Sequence, residues 1–227
     1  MNAPVADATP REVAIAADGD DLAGNLVVPA GAEGIVLFAH GSGSSRLSPR
    51  NVWVARQLQR AGLGTLLFDL LTRTEEARDA STREHRFDIP LLARRLAAAT
   101  TWLAEHSEST RLAVGYFGAS TGSAAALVAA AELGDRVAAV VSRGGRPDLA
   151  GEAVLARVAA PTLLIVGGSD DVVLTLNRAA DARMTCERQL TIVPGASHLF
   201  EEPGALEVVA NLATQWFVRF LTVPQGR

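Results

Sequence analysis

Short apolar runs with almost no charge recur along this chain, and each is followed by a stretch that reads as a helix. The runs are Gly34–Ala39 (GIVLFA), Leu63–Phe68 (LGTLLF), Arg111–Phe117 (RLAVGYF), Arg136–Val141, Thr162–Val166 (TLLIV) and Gln189–Val193. The helical stretches between and after them are Asn51–Ala61, Asp88–His106, Thr121–Leu133, Gly151–Val158, Leu174–Arg183 and Gly204–Phe220. A strand that is apolar at every position has no face to give to water. The pattern therefore predicts an α/β fold, a mostly parallel sheet covered by helices on both faces. Two alternating runs near the start, Glu12–Ala16 and Leu22–Val28, flank Asp18-Gly19-Asp20 and predict a β-hairpin at one sheet edge. Residues 1–11 read as a loose tail and residues 12–227 as a single domain, a size that one α/β core can fill. The charged excursion Thr72–Arg86 carries no apolar stripe. It reads as a surface loop, with a short flap over the site as the other reading.

Composition removes several classes of function. The net charge is −4, against the basic face that nucleic acid would need. No run is long and apolar enough to span a bilayer, and the N-terminus lacks the pattern of a signal peptide. The single cysteine, Cys186, permits no internal disulfide and fits a cytoplasmic location. All 21 Lys+Arg residues are arginine. Lysine Schiff bases, a Ser-Lys pair and a phosphate-loop lysine are thereby excluded, and a GC-rich genome accounts for the bias.

The strongest local signal is Gly118-Ala119-Ser120-Thr121-Gly122, a G-x-S-x-G placed between an apolar strand and a helix. In that setting the serine occupies a sharp strand-to-helix turn that exposes its hydroxyl, and small neighbours are required. The Thr121 N–H and the helix N-terminus point at any oxyanion formed there. A glycine-rich turn merely capped by Ser120 is the plainer alternative.

His40-Gly41-Ser42-Gly43 ends an earlier strand, where a second oxyanion donor arises, and Ser42 is placed to give it. Gly41 and Gly43 let backbone approach substrate. The loop does not match a phosphate loop or a dinucleotide fingerprint. His40 is read as structural.

Asp170 follows the strand Thr162–Val166, and His198 follows the strand Gln189–Val193. Both lie at the C-terminal edge of the sheet, where such sheets keep their sites. Histidine is the base whose pKa lies near neutrality, and a carboxylate fixes its tautomer. Asp170 is favoured over Asp171 by its spacing. His85 and His106 follow no strand and make poor bases.

Seven segments carry a family resemblance: Phe38–Asn51 (FAHGSGSSRLSPRN), Phe68–Thr72 (FDLLT), Phe87–Ala93 (FDIPLLA), Tyr116–Gly122 (YFGASTG), Ser142–Leu149 (SRGGRPDL), Leu163–Asp170 (LLIVGGSD) and Val193–Glu202 (VPGASHLFEE). Together they resemble the dienelactone-hydrolase-like branch of the α/β-hydrolases, over nearly the whole chain. The resemblance implies an eight-stranded sheet, no metal and no cofactor. It departs at the elbow, where dienelactone hydrolases use cysteine and this chain has Ser120. Cys186 lies away from any elbow and reads as a packing residue.

The expected function is a serine hydrolase of small carboxylic esters or lactones, with Ser120 as nucleophile, His198 as base and Asp170 as its orienting acid. Ser42 and Thr121 form the oxyanion hole. Acyl transfer or perhydrolysis on the same triad, and a slow-turnover ligand-binding protein, are the alternatives. Gly41, Arg46 and Arg143 are candidate substrate contacts. An arginine there can clamp a carboxylate or tie loops together through Asp148 or Glu201. The expected partner is a small-molecule ester, with no nucleic acid, no membrane and a possible homodimer.

Overall fold

The structure is a computed structural model and describes residues 9–106 and 111–222. The tail expected over residues 1–11 lies mostly outside the described residues. The first strand, β1, begins at Arg11.

β1 (Arg11–Ala17) and β2 (Asp20–Val27) form the expected hairpin, with Ala17 opposite Asp20. Both turn residues have positive φ, 54° at Asp18 and 86° at Gly19. That is the geometry whose twist matches a tight hairpin, and Asp-Gly adopts it readily. β3 (Gly34–Ala39), β4 (Gly64–Phe68), β5 (Ala113–Ala119), β6 (Ala139–Arg143), β7 (Thr162–Gly167) and β8 (Arg188–Val193) complete one eight-stranded sheet. Its order is β1-β2-β4-β3-β5-β6-β7-β8. From β4 to β8 every pairing is parallel, and β2 joins β4 antiparallel.

The two-residue side-chain period of a strand divides the core. Ile35, Leu37 and Ala39 of β3 pack on one face with Leu92 and Leu96 of α3 (Ile89–Glu105) and the alanines of α4 (Thr121–Leu133). Val36 and Phe38 pack on the other with Val54 and Leu58 of α1 (Pro49–Arg60) and Val209 and Phe217 of α7 (Ala205–Leu221). Glycine and alanine keep α4 close to the sheet. A Cβ on Gly122 would lie 2.1 Å from the Ala39 carbonyl oxygen.

The excursion Thr72–Arg86 is a helix rather than a loop: α2 spans Arg73–Thr82. Polar bonds, not an apolar stripe, hold it. Thr72 and Glu75 form a reciprocal capping box, which satisfies two end N–H groups. Glu75 accepts from Arg95 Nη1 and Nη2 at 2.6 and 2.7 Å. Buried Asp79 accepts from the His85 and Arg86 N–H groups and pairs with the Arg86 guanidinium. The helix expected over Gly151–Val158 shrinks to one turn, α5 (Glu152–Leu155), before the chain extends toward Pro161. α6 (Asp171–Arg183) follows β7. Among the described residues no helix is long and apolar enough to cross a membrane.

Candidate active site

Ser120 sits at the junction of β5 and α4 with φ 50° and ψ −123°, a conformation that costs a side-chain-bearing residue on the order of 1–3 kcal/mol. Surrounding bonds over-determine it. The Ser120 N–H donates to the Arg143 carbonyl, and its own carbonyl accepts from Ser123 and Arg146. A Cβ on Gly118 would meet the Ser123 Cα at 2.5 Å, so the turn has room only for glycine there. Ser120 stands at the N-cap of α4 but makes no side-chain capping bond. Its hydroxyl is therefore not employed in holding the helix, contrary to the plainer reading of the motif.

Asp170 likewise occupies the N-cap of α6 and does not cap it. Its Oδ2 instead accepts from His198 Nδ1 at 2.7 Å. A carboxylate only accepts, so Nδ1 carries the proton and Nε2 is left as the basic nitrogen. Asp170 is the more sheltered of the pair, with side-chain exposures of 15% against 37% for His198. Asp171 is exposed in the first turn of α6. Ser120 and His198 line one cavity of about 220 Å³, together with Gly41, Ser42, Arg143 and Leu199.

The loop after β3 and the N-cap of α4 form another side of the cavity. Thr121 is the first residue of α4, and such leading N–H groups have no acceptor within the helix. The Ser42 N–H donates to Thr121 Oγ1 at 2.9 Å, which ties the β3 loop to the start of α4. A Cβ on Gly41 would lie 3.1 Å from the Ser120 Cβ, so the loop passes against the serine.

His40 is buried, and its ring bridges two loops. Nδ1 donates to the Gly41 carbonyl at 3.0 Å and Nε2 accepts the Leu70 N–H at 3.0 Å. Burial pushes its pKa down against the pull of Asp69 and Glu76, in keeping with a neutral structural ring.

A chain matching residues 32–215 to the family model described as an alpha/beta hydrolase domain, over this fold, decides the family. The chain belongs to the α/β-hydrolases. The dienelactone hydrolase of Anabaena variabilis is 58% identical, with a TM-score of 0.93 over 95% of this chain and 100% of that one. Est1E of Butyrivibrio proteoclasticus shares the fold at 16% identity, with a TM-score of 0.77 over 92% of this chain and 98% of its own. Two Mycobacterium tuberculosis proteins, provisionally named phosphoribosyl transferases, are 59% identical over 214 residues, which is 94% of this chain. The chain spans about half (47%) of the length of those curated relatives.

The arginines of this α/β-hydrolase divide by partner. Arg46 donates to Asp69 through its backbone N–H at 2.7 Å and pairs with it through its guanidinium, and it does not line the Ser120 cavity. Arg146 forms a bidentate pair with Asp148, at 2.8 and 2.7 Å. Arg50 meets Glu201 at 3.0 Å. Arg143 lines the cavity and has no carboxylate partner among the described residues.

A second cavity of about 200 Å³ is lined by the same loop, His40–Ser44, and by α2. Leu70, Leu71 and Leu92 give it apolar walls, and Glu76, Asp79 and Ala80 of α2 line it too. Within Thr72–Arg86, expected as a surface loop or a short flap, no apolar periodicity marks α2 as a helix. Thr72–Glu75, a Thr three residues before a Glu, was the available signal. The histidines set aside as bases are engaged elsewhere: His85 contacts Glu84, and His106 bonds the Trp102 carbonyl and stacks on its ring. Cys186 is half-buried against the core, and burial pushes its thiol pKa up.

Proposed function

We propose that this α/β-hydrolase cleaves small carboxylic esters or lactones through an acyl-enzyme on Ser120. The observation that carries the reading is the 2.7 Å His198–Asp170 pair, whose imidazole lines the same cavity as the strained Ser120. Asp170 keeps the proton on His198 Nδ1, so Nε2 accepts the proton of the Ser120 hydroxyl as Oγ attacks the carbonyl carbon. The carbonyl oxygen becomes an oxyanion facing the Thr121 N–H. An oxyanion is a stronger acceptor than a neutral hydroxyl, so the Ser42 N–H moves from Thr121 Oγ1 to the oxyanion as charge develops. His198 returns the proton to the leaving alkoxide. Water, deprotonated by the same nitrogen, then releases the acid and restores Ser120.

The 58% identity to a protein described as a dienelactone hydrolase supports a hydrolase. The transferase name of the mycobacterial relatives belongs to chains about twice as long. The His198–Asp170 pair, in the same cavity as Ser120, supports acyl chemistry.

The test is labelling by a fluorophosphonate and hydrolysis of a short p-nitrophenyl ester, with Ser120→Ala beside the wild type. Loss of the nucleophile should lower turnover by about 10⁶-fold and abolish labelling. Activity surviving in Ser120→Ala would sink the nucleophile assignment. Alcohol or peroxide added to the assay separates hydrolysis from acyl transfer or perhydrolysis by product.

A further inference from the structure

The cavity that holds Ser120 and His198 also contains a cation without a counterion. Arg143 ends β6 with only 7% of its surface exposed. Its Nε and Nη1 are buried and have no acceptor among the described residues. The other arginines around the site, some of them more exposed, have carboxylates of their own: Arg46 has Asp69, Arg86 has Asp79, Arg95 has Glu75 and Arg146 has Asp148. Arg143 has the face of Phe200, 5.9 Å from the ring centroid. The charge that acts on it is a second cation, Arg50, which lines the same cavity, has a buried, unpaired Nε and meets the exposed Glu201 through Nη1 at 3.0 Å. Burial and then Arg50 push the Arg143 pKa down to about 10, which leaves it charged at neutral pH. A buried charge without a partner is among the costliest arrangements in a protein, and an anion entering the cavity relieves it.

We propose that Arg143, seconded by Arg50, receives an oxyanionic group of the substrate itself, carboxylate or phosphate, so that this enzyme selects anionic esters. Half-esters of short dicarboxylic acids are the simplest of the class. The proposal rests on the acyl-enzyme reading of Ser120. Charge also sets the direction in which such a substrate lies. The cavity lined by α2 shares Gly41, Ser42 and Ser44 with the Ser120 cavity, but its arginine, Arg86, is paired with Asp79, Asp69 is paired with Arg46, and Glu76 adds a further carboxylate. An anion finds its unpaired cation at Arg143, while an uncharged alkyl end finds Leu70, Leu71 and Leu92.

Two measurements test this. The first compares p-nitrophenyl hemiglutarate with p-nitrophenyl valerate, which differ by the terminal carboxylate. Charge-assisted hydrogen bonds predict a wild-type kcat/KM preference for the hemiglutarate of about 10- to 100-fold. That preference ratio should fall at least about tenfold in Arg143→Gln and by less in Arg50→Gln. Arg143→Lys, which keeps the charge and loses the fork, should lie between, and it replaces Arg143→Gln if that variant does not fold. A wild type that prefers valerate, or a ratio that none of the three variants changes, overturns the proposal.

The second measurement is calorimetric titration of Ser120→Ala with glutarate and with inorganic phosphate, repeated in Ser120→Ala/Arg143→Gln. Binding of either that disappears with Arg143 supports the anion site, and the tighter of the two names its source. Binding of neither overturns it. If neither ester is hydrolysed by the wild type but glutarate binds through Arg143, the acyl-enzyme reading fails and the anion site stands.

Discussion

Replacing Gly122 by alanine tests the geometry of the elbow without touching a reacting group. The new Cβ would lie 2.1 Å from the Ala39 oxygen and 2.5 Å from the His40 oxygen, and both are backbone atoms that cannot rotate away. Carbon and oxygen rest no closer than about 3.3 Å. The start of α4 must therefore withdraw from β3 by about 1.2 Å, the difference between that contact and the 2.1 Å available. Two consequences follow from the same displacement. Overpacking of a close-packed interior costs about 1–3 kcal/mol, and each kcal/mol lowers Tm by about 2–4 °C in a chain of this size. The expected loss is then about 2–12 °C, read by thermal melting followed by circular dichroism. The displaced segment also carries Ser120 and the Thr121 N–H, and a misplacement of about 1 Å costs on the order of 100-fold in rate. Hydrolysis of a short p-nitrophenyl ester should fall by that factor while the protein remains folded at 25 °C. A variant with wild-type Tm and wild-type turnover would refute the claim that Gly122 sets the spacing of the serine from the oxyanion loop.

Asp170→Asn should lower turnover by about 10⁴-fold with little change in Tm, because an amide can donate to Nδ1 and move the proton to Nε2. A loss under about tenfold would mean that Asp170 does not fix the tautomer. The α2 capping site makes stability depend on acid. Burial pushes the Glu75 carboxyl up, but the hydrogen bonds and charge of Arg95 and the Thr72 N–H outweigh it and hold the pKa at about 2, below the ordinary 4.5. The unfolded chain binds that proton first as pH falls. The contribution is therefore complete above about pH 4.5 and is lost as pH falls toward about 2. Urea titrations across that window should show stability dropping in the wild type, with a shallower drop in Glu75→Gln. Equal slopes would show that Glu75 is not the group responsible.

How far the site was legible depended on whether its cause was local. The Ser120 turn could be recognised because a G-x-S-x-G between an apolar strand and an alanine-rich helix leaves few other conformations. Asp170 and His198 could be placed together because parallel strands bring successive loops to one edge, and their 2.7 Å contact is the product of that topology. α2 was not legible as a helix, since its stability comes from Arg95 and Arg86, which lie outside it in the chain. Arg46 and Arg143 looked alike in sequence. Nothing local indicated that Arg46 would close on Asp69, 23 residues away, while Arg143 would have no carboxylate partner among the described residues.

Local pattern by itself determined the class of fold, the hairpin edge, the sharp turn at Ser120 and the placing of Asp170 and His198 after successive strands. Each of these follows from backbone sterics and from the burial of apolar runs, which act over a few neighbouring residues. Only the tertiary structure decided which charges are paired. A salt bridge depends on distances between side chains from separate elements, and the energy of a charge depends on how much water its surroundings admit. The sequence lists 21 arginines with equal standing. Tertiary packing leaves one of them, Arg143 at the end of β6, buried over Phe200 in the cavity of Ser120, with no anion of its own among the described residues.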